Sequence, residues 1–207
     1  MLEDGRIAPI STISAVYSLG AIGVAFALVA LLHRLEPEFD PSWRMLSEYS
    51  LGRYGALMRI AFIAAGSGVV AVAIALGGSA WPWTLGLVLV ALGPLGASVI
   101  DTDPVTTPRA AISRRSDVHA VLGMLFILGF PVAATATGLG GAGAIGPALA
   151  WASAAPWLAL AWFFAATIRY ARPDGVGSPG VRVGWPNRVS MVVDMGWVAL
   201  AAVTVLR

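Results

Sequence analysis

The chain has 207 residues, of which 58% are hydrophobic and only 12% charged, with a formal net charge of +2. A soluble domain carries about 25% charged residues, so this composition excludes one, and so small a charge speaks against a nucleic-acid partner. The absence of cysteine removes disulfides, thiolate nucleophiles, iron–sulfur clusters and cysteine zinc sites. Two histidines, His33 and His119, are too few for a three-histidine hydrolase, and they meet only at one membrane face, which excludes transmembrane haem ligation.

Six apolar segments follow one another at about 13–32, 56–76, 81–100, 119–138, 148–168 and 189–206. Each is close to the ~20 residues a helix needs to cross a ~30 Å hydrocarbon core. The fold class expected is therefore all-α: a polytopic integral membrane protein, one six-transmembrane-helix bundle over 1–207. Residues 1–11 carry Glu3, Asp4 and Arg6 ahead of an apolar run too long for a signal peptide, which reads as a retained first helix.

In the first connection, 35–41 (LEPEFDP) reads as a loop and 42–53 (SWRMLSEYSLGR) as an interfacial helix running into the second segment. The connections at 77–80 and 139–147 have no charge; the third, 101–118, opens with DTDP, and the fifth, 169–188, is rich in glycine and proline. Pro94, Pro131 and Pro156 fall inside segments and should kink them, freeing carbonyls that neighbours must satisfy. Gly66, Gly68, Gly93 and Gly96 permit close helix approach.

Ten arginines (Arg34, Arg44, Arg53, Arg109, Arg114, Arg115, Arg169, Arg172, Arg182, Arg188) sit in the first, third and fifth connections, against Arg6 and Arg207 on the other side. The positive-inside rule then puts those connections in the cytoplasm and both termini outside, here in a bacterial inner membrane. Trp81, Trp83 and Trp151 mark one interface, Trp43 and Trp185 the other.

Nearly all polar chemistry gathers at that cytoplasmic end. Asp194 lies about six residues, ~9 Å, inside the last segment, and Asn187, Ser190, Asp194 and Trp197 share one helical face. A carboxylate in a membrane is costly and usually faces the bundle interior. Arg59, inside the second segment, is its natural ion-pair partner. An unbroken helix from about Leu46 would put Glu48, Gly52, Gly55 and Arg59 on one face. Asp101 and Asp103 are spaced to hold Mg²⁺ with a diphosphate or simply to end a helix, and His119 is suited to relay protons. Glu48 and Asp194 are the candidate catalytic acids; Tyr49, Arg59, Asp101, Asp103, His119, Asn187, Ser190 and Trp197 are the candidate pocket. No metal site and no cofactor are expected.

SEY followed by GRYGALM before the second segment, DTDP after the third, His119 at the fourth, and GWPNRV with Trp197 in the sixth stand in a recognisable order. Over about 13–206 the chain resembles the six-helix membrane proteins of domain-of-unknown-function family 998, which implies the fold and no settled activity. A looser similarity is to small integral-membrane terpene cyclases, which place one carboxylate near the start of an early helix and one in the last; Glu48 and Asp194 match those positions. Three functions fit the residues. The favoured one is a metal-independent enzyme whose embedded carboxylate protonates an apolar lipid or isoprenoid between aromatic walls. A proton-coupled transporter and a non-catalytic sensor or accessory protein are the alternatives, and homo-oligomerisation is open.

Overall fold

The structure, a computed structural model, describes residues 4–77, 81–140, 145–170 and 177–207. Arg172, Ser79 and Gly143 lie outside the described residues. Every regular element described is helical: α1 (Asp4–Leu35), α2 (Gly55–Ala75), α3 (Trp81–Ala97), α4 (Arg114–Gly140), α5 (Ile145–Ala152), α6 (Ala154–Tyr170) and α7 (Gly184–Val205), with 3₁₀ turns at Leu46–Leu51 and Arg109–Ala111. Five stretches are long and apolar enough to span a bilayer: Ile10–Leu35, Gly55–Ala75, Arg114–Gly140, Gly146–Arg169 and Gly184–Val205. The sixth apolar helix, α3, is shorter, its 17 residues covering roughly 25 Å. Large apolar side chains such as Val121, Leu158 and Ile168 stand out from the surface, while alanines make up much of the buried core. Water would penalise that distribution and hydrocarbon does not. The chain is a polytopic helical membrane protein.

Sequence neighbours pack side by side, α1 on α2, α2 on α3 and α3 on α4, and α7 packs against α1, α2 and α6. Glycine sets the spacing between α3 and α4: a Cβ on Gly93 would lie 2.6 Å from the Leu122 carbonyl and 2.7 Å from the Phe126 Cβ.

The segment expected at 148–168 is two helices, α5 and α6, broken at Ser153. Pro156 has no N–H for the Ala152 carbonyl and its ring crowds that turn. The Leu149 carbonyl accepts from the Ser153 N–H (3.0 Å), the Ser153 hydroxyl (2.8 Å) and the Trp197 indole N–H (3.1 Å). Trp197 thereby braces the break.

The helix expected to run unbroken from Leu46 does not form. The 3₁₀ turn Leu46–Leu51 ends, the chain turns through 52–54, and α2 starts at Gly55. Glu36, only 1% exposed, enforces the turn: its Oε1 accepts the Tyr54 N–H at 2.7 Å, and its carboxylate fills the place where a Gly52 side chain would go. A carboxylate there also suits the positive end of α2.

Candidate functional site

Residues 41–47 form a strap across the start of α7. The Gly184 N–H donates to the Ser42 carbonyl at 3.2 Å, and the Leu46 N–H donates to Asn187 Oδ1 at 3.0 Å. Arg188 clamps the strap. It is 5% exposed, and its Nη1 donates to the carbonyls of Pro41, Arg44 and Gly184 at 3.3, 2.6 and 3.2 Å. Its Nε donates to His33 Nε2 at 2.8 Å, while His33 Nδ1 bonds the Val29 carbonyl at 2.7 Å. Since a carbonyl only accepts, Nδ1 carries the ring proton and Nε2 offers its lone pair to the arginine.

α7 begins at Gly184, ahead of the expected 189. Asp194 is therefore about ten residues and roughly 15 Å from the start of its helix. It is 3% exposed. Among the described residues no cation, N–H or hydroxyl bonds its carboxylate. It lines a half-open cavity of about 120 Å³ between α2, α3, α4, α7 and the strap. That space exceeds the ~10–15 Å³ that admits one water. The walls are mostly apolar, with Phe62 from α2, Pro94 from α3, Phe126 and Ile127 from α4, and Met191 and Met195 from α7. The polar lining is Ser47, His119, Asn187, Ser190 and Asp194. His119 is fixed by its Nδ1, 2.5 Å from the Ile100 carbonyl, so in the neutral ring Nε2 is the acceptor. Gly93 and Gly123 also line the cavity.

A family model matches residues 19–204, nearly the whole chain. The chain belongs to the DUF998 family, proteins of unknown function. No curated protein and no solved structure matches it.

In this DUF998 protein the residues singled out from sequence divide into three groups. His119, Asn187, Ser190 and Asp194 come together on the cavity. Glu48 and Tyr49 belong to the 3₁₀ turn Leu46–Leu51 that follows the strap. Glu48 is 1% exposed and does not line the cavity; its Oε2 accepts the Met45 N–H (2.8 Å), its Oε1 accepts the Val105 N–H (2.8 Å), and Arg44 Nη2 stands 3.2 Å away. Burial raises its carboxyl above the usual carboxylate range, against the opposing pull of those partners. Tyr49 is fully buried and donates to the Phe39 carbonyl at 3.3 Å.

Arg59, Asp101, Asp103 and Trp197 make up the third group, and none lines the cavity. Arg59 pairs with Asp101, not Asp194: its Nη2 lies 2.7 Å from Oδ1, with Arg115 3.5 Å from Oδ2. Depth explains the difference. Arg59 is one turn into α2 and Asp101 just follows the neighbouring α3, whereas Asp194 is nearly three turns into α7. Asp103 accepts the Ser113 N–H (2.6 Å) and hydroxyl (3.1 Å), fastening the segment that leads into α4. With Asp101 held by arginines, the two carboxylates are engaged separately.

Glu36, Arg188, Phe62 and Phe126 were not legible as site residues. Arg188 had one signal: with Gly184, Met195 and Ala202 it follows the buried i, i+4, i+11, i+18 stripe of α7. Glu36 had none that set it apart from Glu38 and Asp40 in the same acidic loop.

Glu48 yields a stability prediction. Glu48→Gln keeps one acceptor for the Val105 or Met45 N–H and removes the buried charge, so its cost should stay within ~1–2 kcal/mol. Glu48→Ala strands both N–H groups and Arg44, and should cost about 3 kcal/mol or more. Thermal unfolding in detergent measures both; equal losses would dismiss this account of the strap.

Proposed function

We propose that this protein is a metal-independent membrane enzyme acting on an apolar, isoprenoid-like chain, with Asp194 as the proton donor. One observation carries the reading: a buried carboxyl without a partner opens into a cavity whose other walls are mostly apolar and include two phenylalanines. An aspartate serving only packing would be matched by an arginine or an N–H, as Asp101 and Asp103 are. Among the polar linings, His119 Nε2 is a ready proton acceptor.

The step balances without a cofactor. The Asp194 carboxyl O–H adds its proton to a carbon–carbon double bond. The cation, faced by the Phe62 and Phe126 rings, rearranges or closes a ring. It then loses a proton from a neighbouring carbon to His119 Nε2, which releases it to solvent, and Asp194 regains its own proton from solvent. Substrate and product are isomers. A proton-coupled carrier would continue the polar lining along α7, but beyond Asp194 its buried face is Met195, Trp197, Val198, Ala201 and Ala202.

Deuterium uptake tests the reading. Membranes containing the protein, given a polyprenoid olefin or epoxide in D₂O, should yield an isomer carrying one non-exchangeable deuterium, absent with the Asp194→Asn variant. Isomer formation without deuterium, or with the variant, would overturn the assignment of Asp194.

The orientation proposed is arginine-rich connections in the cytoplasm and both termini outside, which opens the Asp194 end of the bundle toward the cytoplasmic leaflet. A cysteine at Ser79 should react with an impermeant thiol reagent added to intact cells, and one at the exposed Thr106 should react only after lysis. The reverse pattern would invert the orientation.

A further inference from the structure

A second opening, sharing no lining residue with the first, is a groove of about 430 Å³ between the end of α6 and the start of α7. Arg169 and Arg182 line it together with Ser42, Trp162, Trp185 and Pro186. No acidic residue lines it among the described residues. The nearest in sequence, Asp40, has its Oδ1 engaged by the Ser42 N–H at 2.8 Å.

The composition of this groove differs from that of the Asp194 cavity. Two arginines line one concave space, a composition that suits the oxygens of a phosphate. Trp185 and Pro186 belong to the first turn of α7, whose positive dipole end adds to the same field. The indoles of Trp162 and Trp185 are about half exposed, 48% and 52%, as expected at headgroup level.

The surface next to the groove identifies the source of the phosphate. Trp162, Ala165 and Arg169 form an i, i+3, i+7 stripe on α6, and one turn further from the arginine that stripe continues as Leu158, 72% exposed. On α7 the residue two turns beyond Trp185 is Val192, 55% exposed. An apolar track thus leaves the charged mouth along the outer faces of both helices. A soluble phosphate compound has no use for it, whereas an acyl chain does.

We infer that this groove is a binding site for an anionic phospholipid, its phosphate between Arg169 and Arg182 and its chains along the outer faces of α6 and α7. The site is separate from the Asp194 cavity and does not depend on that cavity's chemistry.

Native mass spectrometry of the full chain, released from micelles of phosphatidylcholine mixed with phosphatidylglycerol, tests it. Bound phosphatidylglycerol should exceed phosphatidylcholine by roughly tenfold, the effect of one net charge-assisted contact of ~1.4 kcal/mol. The Arg169→Gln/Arg182→Gln double variant should bring the ratio close to one, and the single variants should fall between. Both arginines are exposed, and the unfolding temperature of each variant in zwitterionic detergent is measured alongside to confirm that it remains folded. Arg34→Gln/Arg109→Gln removes the same charge outside the groove and should leave the ratio unchanged. An unchanged ratio in the groove variants, or an equal loss in the control, would overturn the site. Displacement of the lipid by millimolar inorganic phosphate would overturn its assignment to a lipid.

Discussion

Asp194→Asn should lower the rate of product formation by about 100-fold or more while leaving the fold intact. General acid catalysis contributes roughly 10²–10⁴ in rate, and asparagine has nearly the same shape but no proton to give. The structural half of this prediction separates it from an ion-pair role. Removing one partner of a buried pair costs ~3–5 kcal/mol because the other charge is stranded. No group is stranded here, since among the described residues nothing bonds the Asp194 carboxylate. The variant should therefore unfold at or above the wild-type temperature. A chemical probe reaches the same carboxyl without a known substrate. An apolar carbodiimide reacts with a carboxylic acid it can reach through hydrocarbon, and it should modify Asp194 and spare Glu48, whose oxygens are held by Met45, Val105 and Arg44. Modification of Glu48 alone, or a marked loss of stability in the asparagine variant, would remove Asp194 from the proposed chemistry.

The helices and the polar end of the bundle were legible because both are properties of periodicity and length. Apolar runs near 20 residues locate spans, and the spacing of Asn187, Ser190 and Asp194 places them on one face whatever the neighbours do; the structure brings all three to the cavity. Pairings across the bundle were less legible, because they depend on where each helix begins. The N-terminus of α7 lies at Gly184 instead of 189, which carries Asp194 deeper and out of reach of a partner one turn into α2. Glu48 illustrates the same limit. A helical face is defined only while the helix continues, and a turn held by Glu36 and Gly52 detaches Glu48 from α2 altogether. Trp197 lies off the cavity its spacing implies, its indole N–H drawn to the Leu149 carbonyl and the Ser153 hydroxyl at the break between α5 and α6. That attraction needs two distant segments, and neither announces it alone.

Arg188→Met should be the most destabilising single change in the strap, by ~3–5 kcal/mol, a large part of the ~5–15 kcal/mol that separates folded from unfolded chains. The guanidinium is buried and serves the Pro41 and Arg44 carbonyls and His33 Nε2 at once. Methionine fills a similar volume and satisfies none of them, and each stranded buried acceptor costs about 1–3 kcal/mol. Arg188→Lys should recover only part of the loss, because one ammonium cannot address both the Nε and the Nη1 directions of a planar fork. His33→Ala removes a single acceptor and should cost less. Combined with Arg188→Met it should cost less than the sum, since the two residues share one bond. The consequence reaches the cavity, because Leu46 and Ser47 of the strap form part of its wall and Asn187 is tied to Leu46. A folded Arg188→Lys protein should therefore show faster carbodiimide modification of Asp194 than wild type, through a wall that opens more often. Unchanged stability in Arg188→Met would show that the strap is held elsewhere. Unchanged labelling in Arg188→Lys would show that the strap does not control access to Asp194.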